Sequence, residues 1–509
     1  MNPVHLTLDG QSLTLEALAP LVAGERVRAE PVPAAWDAVR RSAAALQALD
    51  LAGAPLYGIN TGFGSLCNVA VAPAELAGLQ TNLLRSHACG VGDPTPPEVV
   101  RIMLALKAQS FCRGHSSIRP EVVERLLLFL AEDALPLVPA QGSLGASGDL
   151  APLAHLSLPL IGEGAFRMAD GSAEDAAPWH RVRGLEPLRL GPKEGLALIN
   201  GTQFLTAHAA AALVRARHAA RTLDCAAAMS LEAMAGRALP FDERIAAVRP
   251  HRGVAGVMAR IRGLTKGSAL LDGAGAAPRV QDPYSFRCVP QVHGAACDAL
   301  AYAEGVVETE LNSTTDNPLV LEDGSYHSGG NFHGEPVALA MDFAAIAMTE
   351  LASISERRVF WLLEGARVGL PPMLAGGRGG LHSGFMIAQY TAAALVSECK
   401  LLAHPASVDT IPSSNGQEDH VSMGSIAARK ALSVAAMLER VAAVELLCAA
   451  QALDARGAER AGAGTRALHA RVRELAPPLE GDRPLSCEIE CLARALGRGE
   501  MAPHGQGAD

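Results

Sequence analysis

Five stretches of this chain, 203–237, 290–311, 334–364, 384–403 and 424–455, are long runs dominated by Ala, Leu, Met, Glu and Arg. Such residues lose little side-chain freedom in a helix, and each run exceeds the usual helix of about 11–12 residues. Within 424–455, Ala427, Leu432, Ala435, Leu438, Val441 and Leu446 recur near helical spacing. Rods of this kind bury their apolar stripes against one another, so the pattern predicts a bundle of long helices. Aromatic residues make up only 4% of the chain, and abundant Ala lets neighbouring helices pack closely. Polar, Gly- or Pro-containing segments at 281–291, 312–333, 371–385 and 404–422 separate the rods. They place loops at the rod ends, where functional residues concentrate.

Before about residue 196 the texture is mixed. Short apolar runs are broken by Gly, Pro and Asn, as in Tyr57–Gly64 and Gln141–Asp149. Residues 167–190 are poor in apolar side chains and hold Gly171, Ser172 and Pro178, which predicts a surface excursion in the form of a hairpin. The expected architecture is mainly α, with little sheet. A smaller mixed N-terminal domain spans 1–195 and a long-helix bundle spans 196–509. The stretch 271–277 is Gly/Ala-rich and reads as a flexible loop, and 501–509 reads as a frayed tail.

Charge and cysteine content narrow the function classes. Lys plus Arg number 43 against 53 acids, a formal net charge of −10, which argues against a general nucleic-acid binder. No uninterrupted apolar stretch reaches the roughly 18 residues of a membrane span, and the N-terminus shows no secretory pattern. Ten cysteines are scattered without a CxxC pair, against both a disulfide framework and a zinc finger. Cys487 and Cys491, four apart, could share a helix face but have no His partners nearby; they read as small apolar residues. We expect a cytoplasmic protein with no required metal.

The run Gly145-Ala146-Ser147-Gly148-Asp149-Leu150 is the chemically unusual one. It belongs to no P-loop, zincin, dinucleotide or GxSxG pattern. One reading is an anion nest at a helix start, which Asp149 disfavours. A second is a plain turn. A third is covalent: the Gly148 amide attacks the Ala146 carbonyl, two waters are lost including the Ser147 hydroxyl, and a five-membered ring with an exocyclic methylene results. That product would be an electrophile, which no ordinary side chain is.

Longer blocks surround this run: YGINTGFG (57–64), SHACGVG (86–92), GSLGASGDLAPLAHLSL (142–158), KEGLALINGTQ (193–203), VQDPYSFRCVPQVHG (280–294), TDNPL (315–319), SGGNFHGEPVA (328–338), SERR (355–358), SGFMIAQ (383–389) and NGQEDHVSM (415–423). With them, the chain resembles the histidine ammonia-lyase family within the aromatic amino-acid ammonia-lyases, from about residue 50 to 455. The resemblance implies that Ala146-Ser147-Gly148 forms 4-methylideneimidazol-5-one by itself, within the N-terminal domain, with no external cofactor. It implies a homotetramer whose active sites combine loops of three subunits, and an amino acid as the small-molecule partner.

The resemblance also assigns residues. Tyr57 is the base that removes the substrate's β-proton, and Tyr284 lies near the prosthetic group. Arg287 clamps the carboxylate, a task that suits a bidentate guanidinium. Asn200 and Gln281 offer amides to the carboxylate or to the prosthetic oxygen, while Phe332 and Met386 line the pocket. His87 and Glu418 stand where relatives acting on phenylalanine or tyrosine carry other residues. An imidazole and a carboxylate suit a substrate imidazole, whereas a phenyl ring would leave Glu418 unpaired. The implied reaction is deamination of L-histidine to trans-urocanate. The alternative within the family is a tyrosine or phenylalanine ammonia-lyase, or an aminomutase.

Overall fold

All five predicted rods are helices in the computed structural model: Gln203–Ala233, Val289–Leu311, Glu335–Leu363, Met386–Leu402 and Gly424–Arg456. The structure describes residues 3–48, 56–62, 69–168, 170–272, 280–321, 323–377 and 380–501. Phe63, Gly64, most of the Gly/Ala-rich stretch (273–277) and the tail from 502 lie outside the described residues. The first rod stops at Ala233 instead of running to 237 because Ala235 turns left-handed, with φ 50°. The Gly236 amide then donates to Leu231 O at 2.9 Å and the Ala235 amide to Glu232 O at 3.0 Å. That pair of bonds satisfies the last carbonyls and caps the helix.

The chain packs as two compact units that are discontinuous in sequence. The first comprises Met1–Ala211, Glu304–Asp342 and Pro405–Arg429; the second comprises Ala212–Ala303, Phe343–His404 and Lys430–Asp509. Four of the five boundaries fall inside long helices, so each of those helices supplies residues to both units.

In the first unit, strands Val4–Leu8 and Val27–Pro31 pair in parallel, Val4 opposite Val27 and Leu8 opposite Pro31. Parallel neighbours need a crossover, and the helix Leu15–Val22 supplies it, N-capped by Thr14. The helix Pro97–Cys112 is buried from Val99 to Cys112 save for Arg101, which makes it the core of this unit. The expected hairpin forms from Ala165–Arg167 and Ala173–Asp175. The excursion is not confined to the surface, however. The helix Ala176–Val182 that follows buries Trp179 completely against Phe166 and Phe129, with ring centroids 4.9 and 5.3 Å apart. One large aromatic supplies the apolar area that the rest of the segment lacks.

In the second unit, the Ala-rich helices close around a web of buried charge. Arg358 and Glu445 are fully buried and pair in a fork, Nε–Oε1 2.6 Å and Nη2–Oε2 2.7 Å. Ser230 and Ser355 donate to the same carboxylate at 2.8 and 2.6 Å. Nearby, Asp224 accepts from His293 and from Arg260, both at 2.7 Å. Burial of such charges is tolerable because each carboxylate oxygen finds a donor. Among the described residues, one helix, Glu335–Leu363, is long and apolar enough to cross a membrane by length and composition, and two-thirds (67%) of its apolar window is buried. Asp342 and Glu350 interrupt its apolar sequence.

Candidate active site

The tripeptide sits in the corner of a tight turn. Gly145 and Gly148 face each other as an antiparallel bridge, with Ala146 and Ser147 between them. Ser147 has φ 48°, a left-handed value that a side chain adopts at some cost. Gly148 also bridges to Gly201, and a Cβ on Gly148 would lie 2.2 Å from Gly201 O. A Cβ on Gly201 would in turn lie 2.6 Å from Gln203 Oε1 and 2.8 Å from Thr315 Oγ1. Both positions therefore require glycine, and the turn is pressed against the 200–203 segment. On its other side the Ala146 methyl packs with Val421 and Met423, and Ser425 Oγ donates to Ser143 O at 2.8 Å.

A polar scaffold in the first unit holds this contact. Asp149 is fully buried. Its amide donates to Gly201 O at 2.8 Å, and its carboxylate accepts from Ser143 Oγ and the Leu205 amide, each at 2.8 Å. Burial pushes its carboxyl up to about 7. The Lys107 ammonium donates to Asn200 O at 2.8 Å and Gln203 Oε1 at 3.2 Å, and burial pulls its pKa down to about 7. Lys193, itself left-handed with φ 66°, pairs with Asp316 at 2.5 Å, and both side chains are buried. Asn200 donates through Nδ2 to Asn317 O at 2.9 Å. Its Oδ1 is buried with no partner among the described residues, an acceptor awaiting a donor.

Glu418 meets the tripeptide directly: Ser147 Oγ donates to its Oε1 at 3.1 Å. Ser413 Oγ holds its other oxygen at 2.7 Å. His87 ends the helix Leu76–His87, and its Nδ1 lies 2.9 Å from Leu83 O. With Nδ1–H given to that carbonyl, Nε2 is the nitrogen available to a ligand. Burial lowers the His87 pKa, and the Glu418 carboxylate pulls it back up. Tyr57 lies in a turn whose carbonyl accepts from the Tyr326 hydroxyl, and burial raises the Tyr326 pKa. Phe332 is half-buried in the loop before the helix Glu335–Leu363.

The remaining predicted residues belong to the second unit. Tyr284 and Arg287 open and close one short helix, Tyr284–Arg287, and the guanidinium carbon lies 4.6 Å from the Tyr284 ring centroid. Tyr284 is 71% exposed, while Arg287 Nε is buried with no partner among the described residues. Gln281 and Arg287 line one cleft of about 1360 Å³ with Arg237, Asp282 and Gln291. Met386 is the first residue of the helix Met386–Leu402 and is half-buried. Thus the first unit joins Ser147 to Glu418, sets His87 within the field of Glu418, and presses Gly148 against Gly201 next to Asn200, and the second groups Gln281, Tyr284 and Arg287. Lys107, Asp149, Lys193, Asp316, Ser413 and Tyr326 were missed as site supports. A lone lysine in the apolar run Ile102–Phe111 was the one signal on offer.

Residues 13–474 match the family described as aromatic amino acid lyase. The chain belongs to this family. A histidine ammonia-lyase of Symbiobacterium thermophilum is 50% identical over 493 residues, 97% of this chain and 96% of the relative. Among solved structures, the histidine ammonia-lyase of Trypanosoma cruzi superposes with a TM-score of 0.90 at 41% identity, over 98% of this chain and 96% of that one. A tyrosine aminomutase of Streptomyces globisporus gives 0.92 at 38% identity over 98% of both chains. The long-helix fold expected from the sequence is the fold of these relatives.

Proposed function

We propose that this protein is an ammonia-lyase acting on L-histidine, which it converts to trans-urocanate and ammonia as the first step of histidine degradation. The observation that carries the substrate choice is the placement of Glu418 on the tripeptide with His87 within its field. A carboxylate and a neutral imidazole beside the reacting group complement an imidazole side chain, and they penalise a phenyl or phenol ring.

The Ala146-Ser147-Gly148 turn fits the 4-methylideneimidazol-5-one group. The chain is already bent at Ser147, no Cβ obstructs Gly148, and Asn200 Oδ1 is an unpaired buried acceptor beside the loop. When formed, the group supplies an electrophilic exocyclic carbon that activates the substrate for loss of ammonia. Neither a metal nor an external cofactor is invoked. Arg287 binds the substrate carboxylate through the N–H edge of its guanidinium, whose Nε has no partner among the described residues, with Gln281 and Asn200 as amide partners. Glu418 and Nε2 of His87 hold the imidazole, and Phe332 and Met386 close the apolar walls. Tyr57 takes the β-proton; its usual pKa near ~10 demands local acidification. Tyr284 stands beside Arg287, and the resemblance gives it a place near the prosthetic group. Ala146, Ser147 and Gly148 contribute their backbone and the serine carbons to the group.

The proposal extends to a homotetramer with shared active sites, to a cytoplasmic location, and to a domain over 1–195 that carries the tripeptide beside a helix-bundle domain over 196–509. The test is product identity. Incubation with L-histidine should give urocanate and one ammonia per turnover. Cinnamate from phenylalanine, coumarate from tyrosine, or a β-amino acid formed faster than urocanate would overturn the assignment.

A further inference from the structure

We propose that Ser413 is a positioning residue for substrate choice: it fixes the Glu418 carboxylate so that Oε1, and not Oε2, faces the reacting group. The inference deepens the reading of the site as one for L-histidine and rests on it. Ser413 Oγ donates to Glu418 Oε2 at 2.7 Å, while Glu418 Oε1 accepts from Ser147 Oγ at 3.1 Å. The two oxygens thus have separate partners. One is tied to the loop that carries the glutamate, and the other looks at the tripeptide. When Ala146-Ser147-Gly148 cyclises, the Ser147 hydroxyl is lost and Oε1 becomes free to accept an N–H of the substrate imidazole. Oε2 keeps its donor throughout.

The anchor is itself firmly placed. Ser413 and Glu418 face each other as an antiparallel bridge, the Ser413 amide donating to Glu418 O at 2.9 Å and the Glu418 amide to Ser413 O at 3.4 Å. The turn between them runs through Ser414, Asn415 and Gly416, with φ 53°, 55° and 81°. Non-glycine residues hold such values only where the surroundings impose them. The Val421 amide donates to Thr410 Oγ1 at 2.9 Å, a second closure of the same loop, and Val421 packs with Ala146. The loop that holds Ser413 is therefore seated on the tripeptide. Glu418 is only half-buried. An untethered glutamate in such a place samples several rotamers, and their loss opposes binding. A hydroxyl-to-carboxylate bond is charge-assisted and imposes one rotamer before the substrate arrives. Preference for an imidazole over a phenyl ring needs that fixed acceptor. A carboxylate free to turn to solvent neither favours the imidazole nor penalises the phenyl ring.

The experiment is calorimetric titration of the purified full-length protein with trans-urocanate, with intact mass confirming the ring in each variant. Ser413→Ala should keep the deficit of about 36 Da and bind urocanate at least about fivefold more weakly than wild type, the effect of losing one hydrogen bond that orders a carboxylate. Ser413→Thr keeps the hydroxyl and should bind within about twofold of wild type. On a Glu418→Ala background, Ser413→Ala should change the affinity by less than about twofold, because Ser413 acts through the carboxylate. Wild type that neither binds urocanate nor deaminates L-histidine overturns the reading of the site, and this inference with it. Where wild type does both, four results each overturn the role of Ser413 alone: a Ser413→Ala loss short of about fivefold, a Ser413→Ala chain without the mass deficit, a Ser413→Thr protein as weak as Ser413→Ala, or a Ser413→Ala effect undiminished on the Glu418→Ala background.

Discussion

Replacing His87 by Leu isolates the specificity contact from everything else in the site. A leucine loses two Nδ1 contacts of His87, a local one with Ser86 Oγ at 3.0 Å and the hydrogen bond to Leu83 O at 2.9 Å. That bond closes the last turn of a helix that remains packed through Leu76, Leu83 and Leu84, so its loss costs about 0.5–1.5 kcal/mol of local stability. Burial lowers the His87 pKa, so the ring meets substrate as a neutral imidazole. Loss of its Nε2 contact to the substrate removes about 1–3 kcal/mol of transition-state binding. The expected fall in kcat/KM for L-histidine is about 5- to 150-fold, while L-tyrosine and L-phenylalanine gain relative to it. His87 makes no hydrogen bond to Ala146, Ser147 or Gly148, so the mass deficit of the ring should be unchanged. The assay is kcat/KM on the three amino acids, normalised to the ring content read by mass. A variant within about twofold of wild type on L-histidine would refute the placement of His87.

Three further outcomes follow from the geometry. Tyr57→Phe keeps the backbone carbonyl that accepts from Tyr326; it should show a normal mass deficit and a kcat lowered about 10²- to 10⁴-fold, measured by steady-state kinetics. Burial pulls the Lys107 pKa down to about 7 from the usual 10.5. Its stability contribution is therefore present above the unfolded value and lost as pH falls through about 7, a slope of about 1.4 kcal/mol per pH unit. Urea midpoints of wild type should rise between pH 8 and pH 10 more steeply than those of Lys107→Met. Arg358→Met leaves Glu445 charged and fully buried. It should cost about 3–5 kcal/mol in equilibrium unfolding, and adding Glu445→Met should recover part of that loss.

The rods were legible because helix preference and apolar period agree over more than twenty residues, as in Gly424–Arg456. The end at Ala233 was not, because nothing in the letters 233–237 marks Ala235 as the residue that turns left-handed. The tripeptide turn could be read from its glycines, and the resemblance named its neighbours. The scaffold under it could not be read. Lys107 reaches Asn200 across 93 residues of sequence, and Lys193 reaches Asp316 across 123. Each pairing exists only after tertiary folding, so no local pattern carries it. Trp179 escaped for a related reason: a single aromatic in a polar stretch gives no period, yet it buries the segment. The return of residues 405–429 to the first unit is likewise invisible in composition.

The central claim is that the backbone at Ala146–Gly148 converts itself into an electrophile. Peptide mapping with intact mass on the purified chain tests it directly. The account predicts a deficit of about 36 Da, located in the peptide that contains Ser147 and abolished in Ser147→Ala. A full-mass chain that still deaminates L-histidine would contradict it.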